Sequence, residues 1–205
     1  AHLPAGEAKA QASLTYGGYT SLVYATGILG GMIADRYLGY QRSIILGGLL
    51  MAVGCFMLLS PEIHLFLIGL AVIVAGNGLF KPNISTMVGK LYAPGDVRRD
   101  SGFTIFYMGI NAGAFVAPLI TAVWIGANYG YKYGFLAAAI GMIFGIAVFQ
   151  VRKGMLGHVG KSPAGREGWG PVLNVLVGAI LLVPVIYFLL SQSEILGVVL
   201  LALFA

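Results

Sequence analysis

The position with the most chemical potential in this chain is a lysine set among aliphatic residues. Lys81 lies in the stretch AGNGLFKPNISTMVGK, from Ala75 to Lys90, which follows a nearly all-aliphatic run from Leu65. Read as a membrane span from His64 to Gly89, this segment places Lys81 ~25 Å along, in the cytoplasmic third of the hydrocarbon. An ammonium at that depth costs roughly 2.5–3.5 kcal/mol on insertion scales, so it belongs beside a wet cavity or a partner inside the protein. Asn77 sits one turn earlier on the same face, and Pro82 lacks the N–H that would bond the Gly78 carbonyl. Gly76 and Gly78 allow a neighbouring helix or a ligand to come close. Lys81 therefore reads as lining a transport pathway; the alternative is a lysine that snorkels to the headgroups from a span ending elsewhere.

Three further positions could do chemistry. Asn111, in Phe106-Tyr107-Met-Gly109-Ile-Asn111-Ala-Gly113, lies ~15 Å from the cytoplasmic end of its span, where an unpaired amide is costly. It can bond a substrate's backbone amide or carboxylate, or make an interhelical hydrogen bond. Tyr24 lies well inside an aromatic belt formed by Tyr16 and Tyr19, so its hydroxyl needs a partner or a water. The stretch from Gly31 to Arg42 joins two spans and carries Asp35, Arg36 and Arg42. An acid, a tight glycine turn and two arginines can form a clamp that exchanges partners as helix bundles rock, or simply a basic loop that anchors topology.

The elements that must position these residues follow from composition. With 59% hydrophobic and 9% charged residues, the chain reads as an all-α integral membrane protein, and its 31 glycines fit helices packed backbone to backbone in lipid. Apolar spans are expected at 13–34, 43–60, 64–89, 101–124 and 134–151, a bundle within residues 1–152. A Gly-rich basic linker follows at 153–170, then residues 171–205 with a sixth span at 171–190 and the start of a seventh from 195. Pro118 predicts a kink, and Gly-xxx-Gly spacing at Gly27/Gly31, Gly109/Gly113 and Gly141/Gly145 predicts close packing. Arg36, Arg42, Lys90, Arg98, Arg99, Arg152, Lys153, Lys161 and Arg166 fall on one side, with Lys9 and Lys132 on the other. The positive-inside rule makes the first side cytoplasmic, in a multi-pass protein of the cell membrane.

The same pattern argues against other classes. The formal charge of +5 is distributed by topology and is not a nucleic-acid patch. The single Cys55 excludes an internal disulfide, and His2, His64 and His158 have no Cys, Asp or Glu at ligand spacing, so no metal is expected. There is no nucleophile elbow, phosphate loop or paired acid within the spans, and no enzymatic activity is expected. The opening residues lack a signal peptide's basic and apolar regions, and the chain reads as a fragment of a longer protein.

Three stretches together resemble the proton-dependent oligopeptide transporter family, or peptide transporter family, of the major facilitator superfamily. Gly30-Gly31-x-x-Ala34-Asp35-x-x-x-Gly39-x-x-x-Ser43-Ile44 looks like its first signature. Phe106-Tyr107-x-x-Ile110-Asn111-x-Gly113 looks like its second, with Phe115 where leucine is commoner, and Gly78-x-x-Lys81-Pro82-Asn83 is similar to its fourth helix. The resemblance runs from about Tyr16 to Arg152.

It implies that the first five spans are helices two to six of a twelve-helix transporter of bacterial type. Residues 171–205 would then belong to the extra helix pair between the two bundles. The implied function is proton-coupled symport of di- and tripeptides across the inner membrane by alternating access, with protons as coupling ion and no other cofactor. A proton-driven drug or nitrate carrier on the same fold is the alternative. By this likeness Lys81 binds the peptide carboxylate or couples protons, Asn111 bonds the peptide backbone and Tyr24 lines the pocket. Asp35, Arg36 and Arg42 would form the gating loop, while Asn77, Asn83 and Tyr107 are packing or secondary positions. The family's Glu-x-x-Glu-Arg motif is absent from this sequence, and Gly17 stands where some members carry a histidine.

Overall fold

Pro82 sits in the middle of a 28-residue helix, and what becomes of the carbonyl it leaves unbonded organises the packing. The computed structural model describes residues 5–192, with side chains from residue 12. All regular elements among them are helical: α1 (Ala5–Ile33), α2 (Tyr40–Met57), α3 (Ile63–Lys90), α4 (Arg98–Pro118), α5 (Ala127–Tyr129), α6 (Tyr131–Arg152) and α7 (Gly170–Ser191). Residues 193–205, where a seventh span was expected to begin, lie outside the described residues. Five stretches are long and apolar enough to cross a membrane: Tyr40–Met57, Ile63–Lys90, Arg98–Tyr129, Tyr131–Leu156 and Gly170–Ser191. α1 is long enough but more polar. Its hydroxyls turn inward to their own backbone, Thr20 donating to the Tyr16 carbonyl at 2.9 Å and Ser21 to Gly17 at 3.0 Å.

α3 is the centre of the bundle, flanked by α1, α2 and α7, and most of its residues from Gly69 to Leu79 are buried. α2 and α3 meet through small residues. A Cβ on Gly47 would stand 2.5 Å from the Gly76 carbonyl oxygen, and one on Gly76 would stand 2.6 Å from the Gly47 oxygen. α1 meets α3 at Gly30, where the released Gly78 carbonyl occupies the space a Cβ would need. Thr26 adds a hydrogen bond across the same seam, donating to the Val74 carbonyl at 3.3 Å as well as to its own helix. The glycines predicted to pack closely do not. Gly27, Gly31, Gly109, Gly113, Gly141 and Gly145 have nothing within 4 Å of a Cβ position, because their faces point away from every described neighbour.

The expected loop from Asp35 to Arg42 is nearly absent. A wide helical turn, Ala34–Leu38, extends α1, and α2 starts at Tyr40, so the reversal rests on Gly39 alone. Its φ of 73° lies in the left-handed region, and the Lys161 carbonyl fills the place of a side chain. At Pro118 the α-helix gives way to a wide helical stretch, Leu119–Gly126, so the proline marks a change of helix type within one continuous span.

Residues 153–170 fold back as a strap beneath the α1–α2 turn. The Gln41 side chain donates to the Val159 carbonyl at 2.7 Å, its backbone N–H to Gly160 at 2.9 Å, and the Ser162 hydroxyl to the Leu38 carbonyl at 2.7 Å. α7 then crosses α1 and α3. Ile186 and Leu190 are buried against Ala71, Val74 and Ala75, with Tyr19, Leu22 and Val23 around them.

Candidate functional site

α1 and α3 bring two of the predicted residues together. The Lys81 ammonium stands 4.4 Å from the centroid of the Tyr24 ring. Both side chains are exposed at the surface of the described bundle. Lys81 lies nine residues before Lys90, so it is ~13 Å from its helix's C-terminal end. Lys90 itself rests over the Tyr40 ring at 4.6 Å, which ties that end of α3 to the start of α2. The two lysines thus differ in kind: one anchors a helix end, the other sits deep on an open face.

The neighbours of Lys81 hold the helix in place. Asn83 is fully buried and donates to the Gly30 carbonyl at 3.1 Å and to Leu79 at 2.8 Å, locking α3 to α1. One turn before Lys81, the Asn77 side-chain oxygen is buried without a hydrogen-bond partner among the described residues.

Asn111 is not brought into contact with this pair. It lies on α4, which buries none of its residues, and is exposed. α4 meets α3 near the C-terminal end of α3, where Phe103 lies 3.2 Å from a Cβ position on Gly89. Asn111 is eight residues beyond Phe103 and Lys81 eight residues before Gly89. On antiparallel helices both therefore stand at one level, ~12 Å from that contact. Tyr107, one turn from each of Phe103 and Asn111 on α4, stacks on Phe103 at 6.2 Å between ring centroids and lies 5.6 Å from Phe106.

The acid–arginine clamp expected of the gating stretch is not formed in this conformation. The Asp35 carboxylate accepts a hydrogen bond from the Tyr40 hydroxyl. Arg42 donates instead to three backbone carbonyls of the strap, Gly168 at 2.8 Å, Arg166 at 3.3 Å and Glu167. Arg36 lies on the rim of a cavity of about 700 Å³ between α1, α3 and α7. The one ion pair among the described residues is Arg98 with Asp96 at 2.8 Å, and it holds the Asp96 carboxyl down at about 2. Sequence reasoning missed the strap's role here, since its contacts use backbone carbonyls that no residue type announces.

The PTR2 model of the POT family matches residues 41–181. The chain is 42% identical over 196 residues to a di-/tripeptide transporter of Lactococcus lactis subsp. lactis, covering 92% of this chain and 39% of that protein. It is 36% identical over 203 residues to dipeptide and tripeptide permease B of Shigella dysenteriae, covering 97% and 41%. The chain thus spans about two fifths of the length of these curated relatives. Among solved structures it superposes on a bacterial homologue of the human drug peptide transporters PepT1 and PepT2 with a TM-score of 0.82 at 28% identity, covering 94% of this chain and 45% of that one. A mutant of the peptide transporter POT in complex with alafosfalin gives 0.74 at 39% identity, covering 95% and 42%. The likeness extends over α7 as well as the bundle. The all-α fold, the five apolar helices and these matches make this a multi-pass membrane protein, and the chain belongs to the POT family.

Proposed function

We propose that this chain serves in the proton-coupled uptake of di- and tripeptides across the inner membrane by alternating access, and that Lys81 receives the peptide carboxylate. The observation that carries the reading is the Lys81 ammonium over the Tyr24 ring, deep on an exposed face. An aromatic face orients a cation without neutralising it, so the charge stays available to an incoming carboxylate. Asn111, at the same level on α4, is the candidate donor and acceptor for the peptide backbone. Protons are the coupling ion, and the reading assigns no catalytic chemistry and no other cofactor. The names of the relatives, di-/tripeptide transporter and dipeptide and tripeptide permease, support the substrate class.

The test is uptake by the full-length protein in liposomes, driven by a pH gradient. Lys81→Ala is expected to abolish concentrative uptake of a labelled dipeptide. Unlabelled tripeptide is expected to compete with the label, and nitrate is not. Undiminished accumulation by the Lys81→Ala variant would overturn the role given to this residue.

A further inference from the structure

Two guanidinium groups stand at one end of a mostly apolar crevice, whose other polar lining residues are Thr26, Tyr37 and Asn174. The cavity of about 700 Å³ runs between α1, α3 and α7, walled by Leu29, Met32, Leu79, Val175 and Leu182. Arg36 and Arg166 line its mouth, and Arg166 is held with its guanidinium 4.1 Å from the Tyr37 ring centroid. No Asp or Glu lines the cavity, and Asp35, the acid next to Arg36, is engaged by Tyr40. The crevice exists because α7 closes on the bundle only in its second half: Leu182 and Val183 pack against the core and Ile186 and Leu190 are buried, while the turns from Gly170 to Ala179 leave the space open.

Those first turns extend ~14 Å from the end of α7 that carries the strap, so the crevice starts at the membrane surface and runs into the hydrocarbon. By the distribution of basic residues, that surface is cytoplasmic. A soluble anion would use the arginines and leave the apolar walls wet. An uncharged apolar molecule would fill the walls and leave two cations unanswered. An amphiphile with one phosphate and a long acyl chain matches both halves, because arginine pairs bind phosphate oxygens through parallel N–H donors.

We propose that this crevice binds an anionic phospholipid of the cytoplasmic leaflet, its phosphate on Arg36 and Arg166 and one acyl chain lodged between α1 and α7. The lipid wedges the first half of α7 against the bundle, whatever cargo the transporter carries.

The test is native mass spectrometry of the full-length protein with phosphatidylglycerol and phosphatidylcholine of identical chains. Phosphatidylglycerol is expected to be retained preferentially, and Arg166→Gln to cut that preference about fivefold. Gly178 lines the crevice and has nothing within 4 Å of a Cβ position, so Gly178→Leu is expected to fill the space and displace the lipid without moving a helix. In unmodified protein, phosphatidylglycerol with a photoreactive acyl chain is expected to label the peptide 170–182. Equal retention of the two lipids would overturn the proposal. So would labelling elsewhere, displacement by inorganic phosphate alone, or cross-links showing that another protein segment fills the crevice.

Discussion

The Lys81 ammonium lies 4.4 Å from the centre of the Tyr24 ring, so a charge on α3 is supported by the π-face of a residue on α1. The contact needs the ring and not its hydroxyl. Tyr24→Phe is therefore expected to leave concentrative peptide uptake close to the parent value, whereas Tyr24→Leu lowers it ~2–30-fold. Initial rates in proteoliposomes measure both, and equal losses in the two variants would show that the hydroxyl is what matters.

Asn83 tests the α1–α3 seam. Its amide donates to carbonyls on both helices from a fully buried position, so Asn83→Ala is expected to cost ~1–3 kcal/mol. Asn83→Asp is expected to be worse, because a carboxylate would face the same two carbonyl oxygens. Thermal unfolding in detergent gives the order.

Gly30 and Gly31 are neighbours with opposite fates. A methyl group on Gly30 collides with the Gly78 carbonyl, while one on Gly31 meets nothing within 4 Å. Gly30→Ala is expected to cost ~3 kcal/mol or more and to reduce the yield of folded protein. Gly31→Ala is expected to be neutral or to stabilise by up to ~1 kcal/mol. Yield and monodispersity on gel filtration, with melting temperature, separate the two.

Arg42 fastens the strap. Lysine keeps the charge but cannot present the planar fork that reaches three carbonyls. Both Arg42→Ala and Arg42→Lys are expected to expose residues 153–168 to limited proteolysis roughly tenfold faster than in the parent. An unchanged cleavage rate in Arg42→Lys would show that charge alone is sufficient.

Asp96 and Arg98 close the turn between α3 and α4, and the pair carries a defined pH dependence. The folded pKa of about 2 lies below the ordinary 3.8, so the contribution of the pair is complete above pH 3.8 and lost as pH falls through about 2. Amide exchange around Asp96 is expected to be flat from pH 7 down to 4, after correction for intrinsic rates. Protection is then lost near pH 2, and in Asp96→Asn it is already missing at neutral pH.

The helices were legible because their apolar runs are long and bounded by Pro61, Pro94-Gly95 and clustered basic residues. Lys81 and Tyr24 were legible as separate positions, since a lysine in a hydrocarbon span and a tyrosine inside an aromatic belt both break the local pattern. Which glycines make contact was not. Gly27 and Gly31 have the right spacing but face outward, while Gly30 between them takes the Gly78 carbonyl, a matter of helix phase and not of spacing. The strap was equally hidden. Its glycines read as flexibility, yet Gly157, Gly160 and Gly165 adopt positive φ in turns that bring backbone carbonyls to Gln41 and Arg42.

With the freed Gly78 oxygen seated on Gly30, neither α1 nor α3 can twist about its own axis or slide lengthwise without a backbone collision. Under the proposed alternating access the two helices are expected to tilt together, with the Tyr24 ring keeping its place beside the Lys81 ammonium. On that proposal, a partner that the lysine exchanges would come from other parts of the molecule or from the bound peptide.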